Sequence, residues 1–181
     1  MPADLLRLAE DIGFSHYAEL NMNALIARSE IRDMCITGKC QRYGKSWSCP
    51  PACGSLETCA ARMKQYSSGI LVQTTALMED EFDMETVNET GEKHKQMFMT
   101  LARQTRMLYP DCLPLTAGSC TLCRKCTYPA KPCRFPDRRF ASMEAYGLLV
   151  SDVCLQSGLK YYYGPRTLTF SSCILTKEGT L

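Results

Sequence analysis

Apolar and polar positions along the chain alternate between helical and extended spacing. Apolar residues recur every three or four positions before Gly13 and over residues 24–34, 55–67, 84–109 and 142–157, which predicts five helices. Extended segments are predicted at residues 14–20, 70–75 and 113–117, and a hairpin joins residues 160–163 to 168–175. Strands separated by helices favour an α/β fold, with α+β as the alternative. We therefore expect one layered domain over residues 1–181, with a mixed sheet flanked by helices.

Capping residues and glycines set the expected limits of these elements. Ser55 and Ser142 suit helix N-termini, and Gly13, Gly69 and Gly158 suit helix ends. Residues 79–92 carry seven acids and form the expected start of the long helix, where negative charge is favourable. This acidic run is interpreted as a solvated face, with a docking patch for a basic partner as the alternative.

Composition and charge narrow the class of protein. The 181 residues suffice for one core, and the net charge of +2 argues against general nucleic-acid binding. No run approaches the roughly 20 apolar residues of a membrane span. Asp4, Glu10 and Asp11 lie where a signal peptide would need an apolar block. We therefore expect a cytoplasmic protein with reduced thiols and no membrane partner.

Twelve cysteines are the main departure from an ordinary composition. Cys120, Cys123 and Cys126 follow one another at intervals of three, and Cys133 follows shortly after. Such a loop can direct three sulfurs to one centre, while the fourth closes the remaining corner. A [4Fe–4S] cluster needs one thiolate for each of its four irons. These four cysteines are predicted to hold one cluster.

A looser set of cysteines lies upstream, at Cys35, Cys40, Cys49 and Cys53. Two prolines and three glycines argue against regular structure in this segment. These four residues are the candidate ligands of a second cluster, with Cys53 as the fourth ligand by proximity. Cys154 and Cys173 remain alternatives to Cys53, whereas Cys59 and Cys112 are interpreted as packing residues.

Zinc is the competing metal for these cysteines. Structural zinc sites use pairs of cysteines or cysteine–histidine pairs, and a run of three exceeds one pair. His16 and His94 are both remote from the cysteines in sequence, and His94 is predicted to be a half-buried helix residue. The run resembles the bacterial ferredoxin arrangement in its first three cysteines but departs from it at the fourth. The CxxxCxxC pattern of radical enzymes and the phosphate-binding glycine motifs are missing from the sequence.

Basic residues surround both cysteine loops. The second loop contains Arg124, Lys125, Lys131, Arg134, Arg138 and Arg139, and the first contains Lys39, Arg42 and Lys45. They can offset the negative charge of a thiolate-bound cluster. The alternative is a docking surface for an acidic redox partner, or an anion site.

The cysteine motifs together resemble a known family. Cys35-x4-Cys40, the segment from Tyr43 to Pro51, the Cys120–Cys133 loop and residues 142–147 are similar to a family of predicted metal-binding proteins of bacteria and archaea, frequent in anaerobes. The resemblance implies metal binding through these cysteines, as iron–sulfur clusters. Relatives often lack a cysteine at the position of Cys53, which leaves room for an incomplete first cluster.

The sequence therefore predicts a protein with two [4Fe–4S] clusters, acting in electron transfer or as an accessory to a cytosolic anaerobic redox enzyme, with a redox partner protein. One alternative is a redox enzyme whose first cluster has an iron open to substrate. The other is a zinc-stabilised interaction module. Catalytic residues and oligomeric state are left open.

Overall fold

A computed structural model describes residues 3–37 and 40–177. Its helices are α1 (Ala3–Ile12), α2 (Ser29–Ile36), α3 (Leu56–Met63), α4 (Met84–Leu108) and α5 (Val150–Gln156). Its strands are β1 (His16–Glu19), β2 (Ser68–Leu77), β3 (Leu113–Thr116), β4 (Ala141–Ser142) and β5 (Thr167–Thr176). Two short 3₁₀ helices cover Met22–Ala24 and Glu144–Tyr146.

The five strands form one mixed sheet in the order β1-β2-β5-β3-β4. The long strands β2 and β5 pair antiparallel over ten residues, from Ser68 opposite Thr176 to Leu77 opposite Thr167. Strand β3 runs antiparallel to β5 and parallel to β4. This arrangement confirms the predicted mixed sheet with helices in an α/β fold.

Each face of the sheet supports a separate apolar core, because successive strand residues point to opposite sides. Ile70 and Val72 of β2 pack with α1 and α4, which contribute Leu5 and Phe98. Leu71, between them, packs on the opposite face with residues of α3, α5 and the segment 143–148. Helices therefore cover both faces, and the cysteine loops emerge at the β3–β4 side of the sheet.

Helix α4 follows its predicted limits closely. Asp83 caps its N-terminus, where the carboxylate accepts a hydrogen bond from the backbone N–H of Thr86 at 2.9 Å. Its buried residues include Gly91, His94, Phe98 and Leu101, which recur at helical spacing. Ser55 likewise caps α3 by accepting from the N–H of Thr58. These local signals were sufficient to predict α3 and α4, because each helix presents one apolar stripe to the sheet.

Several expectations about the secondary structure are wrong. The helix expected at 24–34 begins only at Ser29, because Leu25 and Ala27 pack against the core outside any helix and the Arg28 N–H donates to the Gly147 carbonyl. The expected hairpin is absent: β5 pairs with β2 and β3, and residues 160–163 lie outside any strand. Gly69 does not end a helix but lies within β2, where a Cβ would approach the Ile174 carbonyl oxygen to 2.5 Å.

The helix expected at 142–157 is divided into β4, a 3₁₀ helix and α5. Gly147 interrupts it with φ of +77°, a conformation that side-chain-bearing residues rarely adopt. A Cβ at this position would lie 2.6 Å from Leu56 Cδ1 and 3.0 Å from the backbone N and O of Arg28. The break brings the 3₁₀ helix Glu144–Tyr146 against α2 and α3, next to the first cysteine loop.

Across residues 3–37 and 40–177, none of the helices combines the length and apolar character needed to cross a bilayer.

Candidate metal centres

The four cysteines of the second loop lie around one cavity. The loop leaves β3 and contains neither helix nor strand between residues 117 and 140. Cys120, Cys123, Cys126 and Cys133 all line this space, which we call the Cys120 cavity. Side chains from the first loop complete its wall, including Ser46, Trp47 and Ser48. The structure thus brings together all four cysteines of this predicted set.

Two of these thiols experience opposite electrostatic environments. Burial raises the pKa of the Cys120 thiol, and the charges of the other three cysteines add to this effect. Burial also opposes ionisation of Cys126, but hydrogen bonds from the backbone of Tyr128 and Trp47 and from the Ser46 hydroxyl outweigh it and lower the pKa of Cys126. A donor-rich environment of this kind stabilises a thiolate, which is the ligand form of cysteine.

Cationic and aromatic contacts tie the two loops together. The Arg139 guanidinium lies 5.7 Å from the Trp47 ring and donates a hydrogen bond to the Trp47 carbonyl at 2.8 Å. The Trp47 indole N–H donates to the Lys131 carbonyl at 3.0 Å, and its ring meets Tyr128 edge-on. Within the second loop, the Arg134 guanidinium donates a hydrogen bond to the Lys125 carbonyl at 3.1 Å. These contacts hold the wall of the Cys120 cavity in place.

Three cysteines of the first loop line a second cavity, which we call the Cys35 cavity. Cys35 lies in the last turn of α2, and Cys40 and Cys49 lie in the loop that follows. The cavity has a volume of about 280 Å³. Burial and then the neighbouring Cys40 raise the pKa of the Cys35 thiol. Burial also raises the pKa of Cys49, against hydrogen bonds from Ser48 and Ser46. Lys39, one of the basic residues of this loop, lies outside the described residues.

Cys53 has different neighbours from the other three cysteines of the first loop. Its thiol contacts the buried Cys59 and lies 3.9 Å from the Ala145 carbonyl oxygen, and it is not among the described residues that line the Cys35 cavity. The hydrogen bond from Cys53 lowers the pKa of Cys59, with help from the Arg32 guanidinium 3.7 Å away, and raises the pKa of Cys53. Arg32 is itself buried and donates to the carbonyls of Ala145 and Gly54.

The two cavities share a wall. Ser48 lines the Cys120 cavity, and its hydroxyl also lies 3.7 Å from the Cys49 sulfur, which lines the Cys35 cavity. Ser119 lines the Cys35 cavity and directly precedes Cys120. The two cysteine loops therefore lie side by side.

The remaining cysteines and the histidines lie apart from both cavities. Cys173 is fully buried in the sheet, and the Cys154 sulfur accepts from the Gln73 amide at 3.3 Å. His94 is fully buried in α4 and lies far from the cysteine loops in sequence, with hydrogen bonds to Thr74 and Ser172. His16 stacks on Tyr163, with ring centroids 4.0 Å apart.

The donor sets suit soft metals, since thiolate sulfur binds zinc and iron–sulfur clusters. Among the described residues, no three His, Cys, Asp or Glu side chains are positioned to hold one metal ion. The Cys120 cavity has a volume of about 20 Å³. The assignment of the eight cysteines as ligands stays a prediction.

The fold and the two cysteine-lined cavities define a cysteine-rich α/β protein. The model of a family described as predicted metal-binding proteins (DUF2284) matches residues 18–176, which is most of the chain. The protein belongs to this family. Neither the curated proteins nor the solved structures contain a match to the chain.

Sequence reasoning missed three parts of this region. Arg32 was not singled out, although an arginine inside an apolar helical stripe could have drawn attention to it. Ser46 and Ser48 carry no sequence signal beyond their position beside Cys49. The pairing of Cys53 with Cys59 depends on how α3 packs, which cysteine spacing does not reveal.

Proposed function

We propose that the protein binds two iron–sulfur clusters of the [4Fe–4S] type, one in each cysteine-lined cavity, and acts in electron transfer as a carrier or accessory subunit. The observation that carries this proposal is the shared wall, since the Ser48 hydroxyl lies beside the Cys49 sulfur and also lines the Cys120 cavity. Two clusters held this closely would exchange single electrons.

The chain's own groups support negatively charged clusters at these positions. Cys126 accepts backbone and hydroxyl hydrogen bonds, and Arg42, Arg134 and Arg139 line the same cavity. Hydrogen bonds to cluster sulfur and nearby positive charge tune the reduction potential. All eight predicted ligand cysteines are free thiols in the structure and so are available to a metal.

A redox partner would dock beside the Cys120 cavity. The exposed basic residues of this loop are Arg124, Lys125, Lys131, Arg134 and Arg138. Their charge suits an acidic partner surface and would accelerate its association at low ionic strength.

Metal analysis of anaerobically purified protein tests the proposal. We expect a brown protein with about eight iron and eight acid-labile sulfide per chain, corresponding to two four-iron clusters. Cys126→Ser should lose about four of the iron atoms, whereas the control Cys112→Ser should keep them all because Cys112 lines neither cavity. A colourless protein with stoichiometric zinc would refute the proposal and support the zinc-stabilised module.

A second candidate function follows from the position of Cys53. Because its thiol contacts Cys59 and just three cysteines line the Cys35 cavity among the described residues, a cluster there would keep one iron without a cysteine ligand and open to a substrate. Cys53→Ala and Cys49→Ala distinguish the two functions. A first cluster that survives Cys53→Ala but not Cys49→Ala supports the enzyme with an open iron. Loss of the cluster in both variants supports four protein ligands and a carrier.

A further inference from the structure

A third cavity lies beside the two cysteine-lined ones and has a different character. It opens between the start of β3, the C-terminal parts of α3 and α4, and the loops at residues 47–53 and 136–140. Its volume is about 320 Å³, within the usual range for small-molecule sites. Arg139 is the one arginine of this cavity that the sequence suggested as part of an anion site.

Three arginines from distant parts of the chain line this space, which we call the arginine cavity. Arg62 comes from α3, Arg106 from the last turn of α4, and Arg139 from the loop before β4. No aspartate or glutamate is among the described residues that line it. Across residues 3–37 and 40–177, none of the three arginines forms an ion pair. Their positive charges are therefore uncompensated by the protein.

Each guanidinium is held by two or three neutral contacts, which include Tyr66 for Arg62 and Cys112 for Arg106. Arg106 donates to the Asp137 carbonyl and lies 5.3 Å from the Phe140 ring. Arg139 donates to the Trp47 carbonyl at 2.8 Å, and Arg62 donates to the Tyr146 hydroxyl at 3.4 Å. A guanidinium has five N–H donors, so most donors of each group remain available. Positioned arginines with free donors are the usual means of binding carboxylate and phosphate.

We propose that the arginine cavity binds a small organic anion that carries two or more phosphate or carboxylate groups. Three positive charges around one cavity match a ligand with at least two negative charges, and the volume exceeds that of a single phosphate ion. The bound anion would lie next to Cys53, and next to Trp47, which also lines the Cys120 cavity. Arg62 and Arg106 make this site separable from the proposed iron–sulfur function, since neither lines a cysteine-lined cavity.

Isothermal titration calorimetry on the full chain, purified anaerobically with its metals, tests the site. The probes are pyrophosphate for phosphate recognition and citrate for carboxylate recognition, each at millimolar concentration. We expect saturable binding of at least one probe, which weakens as salt screens the charges. The probe that binds more tightly identifies the anionic group. Binding of neither probe overturns the proposal.

Matched arginine variants locate the binding. Arg62→Gln and Arg106→Gln should each lower affinity roughly tenfold or more, because each removes charge-assisted hydrogen bonds. Arg103→Gln is the control, since Arg103 is an exposed residue of the same helix α4 and does not line the cavity. Equal losses in Arg103→Gln and Arg106→Gln would indicate diffuse surface charge and overturn the proposal.

The metal content of the same samples separates this inference from the proposed function. Iron and sulfide should be unchanged in Arg62→Gln, because Arg62 lines neither cysteine cavity. A protein that lacks iron but binds the anion through Arg62 and Arg106 would refute the cluster proposal and leave the anion site intact. Full iron content without anion binding would support the cluster proposal and refute the anion site.

Discussion

His94 provides a quantitative test of the core beneath the sheet. Its ring is fully buried in α4, with Nδ1 2.8 Å from the Thr74 hydroxyl and Nε2 2.7 Å from the Ser172 hydroxyl. Burial is the main reason that the pKa of His94 falls from 6.5 to about 4. The folded protein therefore holds a neutral imidazole at pH values where the unfolded chain binds a proton.

The direction of the pH dependence follows from this difference. The folded pKa lies below the unfolded value, so the contribution of His94 is fully present above pH 6.5 and is lost as pH falls towards 4. At 1.36 kcal/mol per pKa unit, the complete loss is about 3 kcal/mol. About 2 kcal/mol of it should have disappeared by pH 5. This is a substantial part of the stability of an ordinary domain.

Anaerobic urea unfolding, followed by circular dichroism between pH 5 and 7.5, measures this loss in the wild type and in His94→Gln. The variant should be less stable at pH 7.5, because glutamine does not reproduce the two ring hydrogen bonds. Its free energy of unfolding should fall less steeply with decreasing pH, by about 2 kcal/mol over this range. Protonation of other groups, including partly buried His16, affects both proteins alike. Parallel pH profiles would refute a buried neutral His94.

Two further predictions concern residues that position the first cysteine loop. Arg32→Met should cost about 2–4 kcal/mol, because the buried carbonyl of Ala145 and the partly buried carbonyl of Gly54 lose their donor. Arg7→Met on the exposed face of α1 should be nearly neutral in the same urea titration. Equal midpoints would contradict the role of Arg32. Gly147→Ala should destabilise by roughly 2 kcal/mol or more, since its Cβ would meet Leu56 and the Arg28 backbone. Gly158→Ala is the control, because Gly158 has a similar φ of +79° but no atom within 4 Å of an added Cβ. It should lose only the backbone contribution of about 1 kcal/mol to the free energy of unfolding. A loss as large as that of Gly147→Ala would argue against the steric contact.

Local patterns predicted the elements that bury one continuous stripe. Helix α4 follows from apolar positions at threes and fours after the Asp83 cap, and β2 follows from its run of apolar residues. The C-terminal third was harder, because β5 pairs with β2, which lies 90 or more residues earlier, and with β3. No feature within residues 160–176 distinguishes this long-range pairing from a local hairpin.

The sequence likewise predicted the arrangement of the second cysteine loop better than that of the first. The spacing of Cys120, Cys123 and Cys126 is short enough for one loop to place all three beside the same cavity, which Cys133 also lines. In the first loop, proximity in sequence favoured Cys53, but the packing of α3 places Cys59 and Arg32 beside its thiol. Tertiary contacts therefore decide which thiols face the Cys35 cavity.

The arginine cavity is also formed by packing between distant segments, which here brings positive charges together. Arg62, Arg106 and Arg139 are spread over three segments, and only Arg139 lies within a cysteine loop. Charge compensation of a cluster would explain Arg139, which lines the Cys120 cavity, but it does not explain Arg62 or Arg106, which line neither cysteine cavity. Uncompensated charge at one site raises the free energy of the folded protein through mutual repulsion. A bound anion would remove that cost, so the probe that occupies this cavity should also raise the midpoint of unfolding, and it should do so less in Arg62→Gln.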